Sequence, residues 1–393
     1  MNVMVYARPS PALCVFAATL AAASLAGATG SDTKPAWLRV ELAGETKTDA
    51  TRIVEGIVRA EAADGGLLLE QADGRLDLFQ PATIASRTPI PPPAAAETAR
   101  DLGGRILGEL PTGFDLLITK HYVICFDTSR AYAQWAAALF ERLHDGFTNF
   151  WTRAGLDLHP PERPLVVVIF SDRRRYEEYA ARDLGAATDR VVGYYNMLSN
   201  RVTTFDLTGV DALHDHAAAR GRPNLDLLKR PEAAGLVATL IHEGTHQMAF
   251  NCGLHQRLAP VPLWVCEGVA TYFEAPDLAS GRGWRAIGLV NRPRRDQFLS
   301  LTDRGWLEPL LRDDEAFRRA DAATDAYARG WAVTAYLIKT KKPAFVAYLQ
   351  GLAKKNPCAA DSAQQRIEEF TAAFGQPDAA LEQAVAAFVA RLR

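Results

Sequence analysis

Ile241-His242-Glu243-Gly244-Thr245-His246-Gln247 lies inside an apolar run from Pro231 to Phe250 that reads as one buried helix. Residues four apart on a helix point the same way, so His242 and His246 can bring two imidazole nitrogens to one metal ion at about 2.0–2.1 Å. Glu243 lies about a quarter turn from His242, near enough to reach a water at that ion without becoming a ligand, which suits a general base. Two histidines leave a zinc ion incomplete. Sixteen positions past His246, the segment Pro262-Leu263-Trp264-Val265-Cys266-Glu267-Gly268-Val269-Ala270-Thr271-Tyr272-Phe273-Glu274 starts a second helix, with Glu267, twenty-one positions past His246, near its first turn. Glu267 is the expected third ligand of one Zn2+ per chain. The competing reading makes His242 and His246 core histidines on an apolar helix and Glu267 a charge at a helix start.

An HExxH helix followed by a Glu-Gly-x-Ala helix resembles the gluzincin zinc peptidases, in which two histidines and a downstream glutamate hold zinc. From about Tyr122 to its end the chain also resembles a bacterial family of zinc-peptidase-like proteins termed domain of unknown function 1570. That resemblance is carried by His121-Tyr122-Val123-Ile124-Cys125-Phe126-Asp127-Thr128, Val192-Gly193-Tyr194-Tyr195, the metal motif, and Tyr327-Ala328-Arg329-Gly330-Trp331-Ala332. It implies an α+β fold with a zincin-like catalytic domain: a mixed sheet, the HExxH helix and a helical C-terminal part. It also implies that Tyr327 offers its hydroxyl to a developing oxyanion, with a core tyrosine as the competing role. In gluzincins the edge strand before the metal helix holds an extended peptide by main-chain pairing. By that resemblance Gly193, Tyr194 and Tyr195 are substrate-binding residues, against an ordinary closed hairpin. One position departs from the thermolysin-like pattern. Where a carboxylate four residues beyond the glutamate ligand steadies a zinc histidine, this chain has Thr271, so another group such as Glu274 or a main-chain carbonyl must orient the ring.

The chain has 393 residues, 48% hydrophobic and 23% charged, which gives ample core for two or three domains. A net charge of −2 and a pI near 6.5 argue against a nucleic-acid partner. The basic runs Arg173-Arg174-Arg175 and Arg292-Pro293-Arg294-Arg295 read as solvated loop or helix surface. Arg8, an alanine-rich apolar stretch from Pro11 to Leu25 and the small residues Ala26-Gly27-Ala28 together predict a signal peptide over residues 1–28. The protein is therefore expected to be exported, periplasmic or extracellular, without a permanent membrane span, the alternative being an uncleaved anchor. Cys14 would leave with the signal. Among Cys125, Cys252, Cys266 and Cys358, a Cys252–Cys266 bridge would tie the third ligand to the first two. Other pairings, or four buried free thiols, are equally open.

Short strands separated by Asp64-Gly65 and Asp73-Gly74 make residues 36–88 a small β-rich module, closed by the stiff run Thr88-Pro89-Ile90-Pro91-Pro92-Pro93. Residues 89–113 read as linker and helix, 114–343 as the zincin-like domain, and 344–393 as C-terminal helices packed on it. Within the catalytic domain the order is strand Tyr122 to Phe126, helix Ala131 to Trp151, strand Leu165 to Phe170, helix Arg173 to Ala181, then a hairpin of Val191 to Met197 with Val202 to Asp206. His214 and His216 lack a completing ligand nearby and read as a loop pair. Pro276 to Asp296 reads as a loop rich in Gly and Arg, a wall for the cleft.

The function expected from these features is hydrolysis of a peptide or protein by an exported zinc peptidase, with Glu243 as general base. Two readings compete with it: a non-catalytic envelope protein that keeps the fold and binds zinc or a peptide, and a zinc hydrolase of a non-peptide amide.

Overall fold

The computed structural model describes residues 36–43, 52–93, 97–209, 225–229, 233–275 and 287–393. The signal-peptide segment, the His214 and His216 pair, and residues 276–286 lie outside the described residues. The chain is α+β, with an antiparallel sheet near the N-terminus and a mixed sheet in the main body.

The strands β1 (Trp37–Leu42), β2 (Arg52–Glu61), β3 (Leu67–Glu70), β4 (Leu76–Phe79) and β5 (Ile84–Ile90) pair in the order β4-β3-β2-β1-β5. Gly65 and Gly74 turn the chain at φ +93° and +83°, where a side chain would be strained. The sequence reading differs at one element here: Thr88-Pro89-Ile90 is the end of β5 and not a linker. Proline is tolerated there because β5 is an edge strand whose one partner is β1.

Helix α1 (Ala99–Glu109), capped by the Thr98 hydroxyl, leads into the main body. The second sheet holds β6 (Asp115–Ile118), β7 (Tyr122–Phe126), β8 (Leu165–Phe170), β9 (Gly193–Asn196) and β10 (Arg201–Phe205) in the order β6-β7-β8-β10-β9. The central β7, β8 and β10 run parallel and are buried along their whole length, which is why Leu165–Phe170 is a continuous apolar run and does not alternate. Helices α2 (Arg130–Arg153) and α3 (Arg173–Leu184) are the connections, capped by Ser129 and Asp172. On α2, Leu139, Leu143 and Phe147 are buried, while Trp135 and Phe150 flank them half-buried.

The C-terminal half is helical: α4 (Ala234–Asn251), α5 (Leu263–Phe273), α6 (Arg292–Ser300), α7 (Leu307–Arg312), α8 (Glu315–Arg318), α9 (Ala323–Thr340), α10 (Lys342–Leu352), α11 (Ala363–Phe374) and α12 (Ala379–Arg391). The basic run 292–295 thus begins a helix capped by Asn291, and only part of the stretch after Pro276 is loop among the described residues. Two glycines set how closely the key helices approach. A Cβ on Gly244 of α4 would lie 2.7 Å from Leu143 Cδ2 and 2.9 Å from Phe140 Cε1, so α2 presses directly on the metal-motif helix. A Cβ on Gly268 of α5 would lie 2.0 Å from Thr334 Oγ1 and 2.8 Å from the Gly330 carbonyl oxygen, so α5 and α9 cross nearly backbone to backbone. Gln247 pins α4 to the sheet, its Nε2 donating to the Val166 and Asn200 carbonyls at 2.9 and 3.0 Å. Cys125, Cys252, Cys266 and Cys358 are all buried and none forms a disulfide among the described residues, so no Cys252–Cys266 bridge forms. Among the described residues no helix is long and apolar enough to cross a membrane.

Candidate metal centre

Helix α4 is buried from Thr239 to Phe250, with the side chains of His242 and His246 0% and 1% exposed. Their Nε2 atoms lie 3.0 Å apart. Glu267, in the first half of α5, places Oε2 3.0 Å from His242 Nε2 and 3.4 Å from His246 Nε2. Ligand atoms at 2.0–2.1 Å from a tetrahedral zinc ion are separated by about 3.3–3.4 Å, so the three atoms stand near the spacing that such an ion imposes. The chemistry agrees with the spacing. His242 Nδ1 lies 2.6 Å from Glu274 Oε1 and donates to it, which leaves a lone pair at Nε2 of the neutral ring. That lone pair faces another imidazole nitrogen and a carboxylate oxygen, an arrangement of electron donors that needs a positive charge at its centre. Burial opposes a charged His242, yet hydrogen bonds to Glu267 and Glu274 push its pKa up to about 10. Burial and then the neighbouring His242 weigh against a second proton on His246, although Glu267 favours one. The carboxylates thus favour a cation where these atoms converge, whether a proton or a metal ion, and the buried group His242, His246 and Glu267 could hold a metal ion.

Glu274 resolves the departure at Thr271. The Thr271 hydroxyl donates to the Glu267 and Gly268 carbonyls at 2.7 and 3.0 Å and so serves its own helix. Glu274, just past the end of α5, orients His242 in its place. Its other oxygen accepts from Asn291 Nδ2 at 2.9 Å, and Arg294 Nη2 stands 3.5 Å from Oε1. Burial alone would raise the Glu274 pKa, but Arg294, His242 and Asn291 hold it down to about 2. Asn291 also donates to the Thr271 carbonyl at 3.0 Å, which locks the start of α6 to the end of α5. Sequence reasoning missed Asn291 and counted Arg294 among solvated charges. The one available signal was an Asn before a Pro-containing first helical turn, which marks a cap but not its neighbours.

Glu243 is fully buried beside the cluster. Its Oε2 accepts from the Tyr195 main-chain amide at 2.8 Å, and Oε1 has no hydrogen-bond partner among the described residues. Burial, the largest cause, raises its pKa to about 8, with His242 pulling the other way. Tyr327 on α9 enters the same pocket, its ring centroid 6.2 Å from that of His242, between Phe317 at 5.5 Å and the Arg294 guanidinium at 5.2 Å. Burial and the nearby Glu267 and Glu243 carboxylates raise its pKa well above that of a free tyrosine.

Gly193, Tyr194 and Tyr195 lie on β9, the edge strand beside α4. The two tyrosine side chains are buried and engaged elsewhere: Tyr194 donates to Asp183 Oδ2 and Tyr195 to Asn200 Oδ1, at 2.7 and 2.8 Å. What β9 offers the pocket is main chain, and the Tyr195 amide already serves Glu243.

Another group, His121, His144 and Asp145, brings ligand atoms close together. Its imidazoles stack with centroids 3.6 Å apart and planes at 14°, and a metal must lie in the plane of each ring it binds. No point near the group lies in both planes of such a stack, so this group does not suit a metal as it stands.

No curated protein matches the chain. Residues 236–359 match the family described as "Protein of unknown function (DUF1570)", a stretch shorter than the resemblance from Tyr122 onward but one that contains His242, Glu243, His246, Glu267, Glu274, Asn291, Arg294 and Tyr327.

Proposed function

We propose that the chain is an exported zinc-dependent peptidase whose centre is His242, His246 and Glu267. The observation that carries this reading is the uncommitted Oε1 of Glu243, buried beside three converging metal-ligand atoms. Two imidazoles and one carboxylate are a donor set suited to zinc with a position left open. Zinc, when bound, supplies Lewis acidity that lowers the pKa of a water to about 7 and polarises a carbonyl. The protein's own groups account for the proton. In its carboxylate form Glu243, whose basicity burial increases, accepts a proton at Oε1 as water oxygen adds to the carbonyl carbon, while the Tyr195 amide holds Oε2. Glu243 then delivers that proton to the leaving nitrogen as the carbon–nitrogen bond breaks, so the group returns to its starting state. The Tyr327 hydroxyl is the donor for the oxygen on which charge builds. The edge strand β9 offers main chain for an extended peptide, and residues 1–28 supply the export signal.

The test is Glu243→Gln. The variant should bind metal as the wild type does and lose hydrolysis of a mixed peptide library by about 10²-fold or more. Metal content is read by elemental analysis and turnover by mass spectrometry. Retained cleavage would overturn the role of Glu243, and a wild-type protein that cleaves no peptide would overturn the peptidase reading.

A further inference from the structure

The N-terminal module and the end of the metal-motif helix enclose a cavity of about 130 Å3, far above the roughly 10–15 Å3 that one water needs. Glu70 of β3 stands in it, 4% exposed, and receives Arg163 Nη1 at 2.5 Å and Arg59 Nε at 2.6 Å, with Arg257 Nη2 at 3.3 Å. Three guanidinium groups therefore meet one buried carboxylate. The remaining acid, Glu162, is 62% exposed at the rim and screened by solvent. Arg163 uses Nε on the Ala72 carbonyl at 2.7 Å and Nη1 on Glu70, and its Nη2 makes no hydrogen bond among the described residues.

A second observation comes from another part of the lining. After α4 the chain turns through Gly253 at φ +86°, and the His255 amide caps the helix by donating to the Ala249 carbonyl at 2.9 Å. This places the His255 ring against Phe250 and among the residues that line the cavity, only 3% exposed, with the Leu254 main chain beside it and no well-formed hydrogen bond from either ring nitrogen among the described residues. Buried polar atoms nearly always have partners, so such an exception calls for an explanation. Burial drives the ring's pKa down to about 3, so it stays neutral and carries one N–H and one lone pair. Excess guanidinium charge around one carboxylate, in a cavity also lined by a neutral His255 whose ring nitrogens make no well-formed hydrogen bond among the described residues, suits an acceptor-rich anion.

We propose that this junction cavity binds a small oxyanion, a phosphate or a carboxylate, through Arg163, Arg59 and His255. Arg257 supports the site without needing to touch the ligand, because its Nη1 already donates to the Gly74 and Met197 carbonyls at 2.7 and 3.2 Å. Phe250 and Asn251, at the end of α4, also line the cavity, so the ligand joins the module to the metal-motif helix. The inference does not depend on the peptidase reading.

The experiment is thermal unfolding and titration calorimetry of the full mature chain with inorganic phosphate and, separately, with succinate, at constant ionic strength set by sodium chloride. A saturable rise in melting temperature with at least one of the two, absent with chloride, is expected. Response to phosphate alone identifies a phosphate site, and response to succinate alone a carboxylate site. Arg163→Lys, which keeps a charge on Glu70, and His255→Phe, which keeps the ring's bulk, should each weaken binding by roughly tenfold or more, the scale of one charge-assisted hydrogen bond. Their metal content should be unchanged. No saturable response to either anion in the wild type overturns the proposal, as does unaltered binding in both variants.

Discussion

Glu274 shows how one side chain's surroundings decide the quality of the centre. It fixes the His242 ring from the Nδ1 side and is itself held by Asn291 and Arg294. Groups that orient a metal-binding histidine typically contribute 10–100-fold in affinity, so Glu274→Ala should weaken zinc binding by about that factor in competition with a chromophoric chelator. Thr271→Ala should leave affinity close to wild type, because that hydroxyl bonds only to main-chain oxygens of its own helix. Equal affinities for Glu274→Ala and wild type would show that the His242 ring is held by its packing alone. The sequence made Glu274 one of two candidates for this role. It could not choose, since the choice depends on where α5 ends and on a cap residue, Asn291, seventeen positions further on.

Among elements, the crossing of α5 and α9 matters most, because it carries Glu267 and Tyr327 to the same pocket. Gly268 and Gly330 allow the contact, and a methyl group at 268 would overlap Thr334 Oγ1 and the Gly330 main chain. Backbone cannot move aside as a flexible side chain can. Gly268→Ala should therefore destabilise the fold by about 1–3 kcal/mol in urea titration and reduce zinc occupancy as Glu267 shifts. Gly351, on the exposed side of α10, is the control, since a methyl group there would meet nothing within 4 Å. Gly351→Ala should stabilise by about 0.4–1 kcal/mol through the unfolded chain. If Gly268→Ala behaves as Gly351→Ala does, the close crossing is not a constraint on the fold. Element identity was well marked in the sequence: β7 and β8 occupy the predicted residues, and α4 runs from Ala234 to Asn251 against an expected Pro231 to Phe250. The short β6 and the proline-containing end of β5 were not read, because a four-residue strand and an edge proline carry little periodic signal.

For the molecule as a whole, the docking of the β module is the feature with a pH signature. Glu70 joins the module to Arg163 and Arg257 of the main body. Burial raises its pKa, but Arg257, Arg59 and Arg163 together bring it below the ordinary 4.5. A carboxyl whose folded pKa is depressed adds stability that is fully present above the unfolded value and is lost as pH falls through the folded one. Wild-type protein should therefore lose stability below about pH 4.5 more steeply than Glu70→Gln, which has no such proton to gain. Chemical denaturation between pH 3 and 7 measures this, and parallel curves for the two proteins would show that Glu70 does not couple docking to pH.

The sequence by itself marked the strands Tyr122–Phe126 and Leu165–Phe170, the HExxH helix and the distance to Glu267, each written in local periodicity or in residue types at fixed spacing, while the α+β class followed from the family resemblance. Tertiary structure alone decided that Glu274 and not a main-chain carbonyl steadies His242, and that Arg294 belongs to the pocket and not to the solvated surface. It also decided that Cys252 and Cys266 stay unbridged and that His255 lines a cavity beside the β module. Those outcomes depend on which residues far apart in the chain are pressed together when apolar surface is buried, and no local pattern records that.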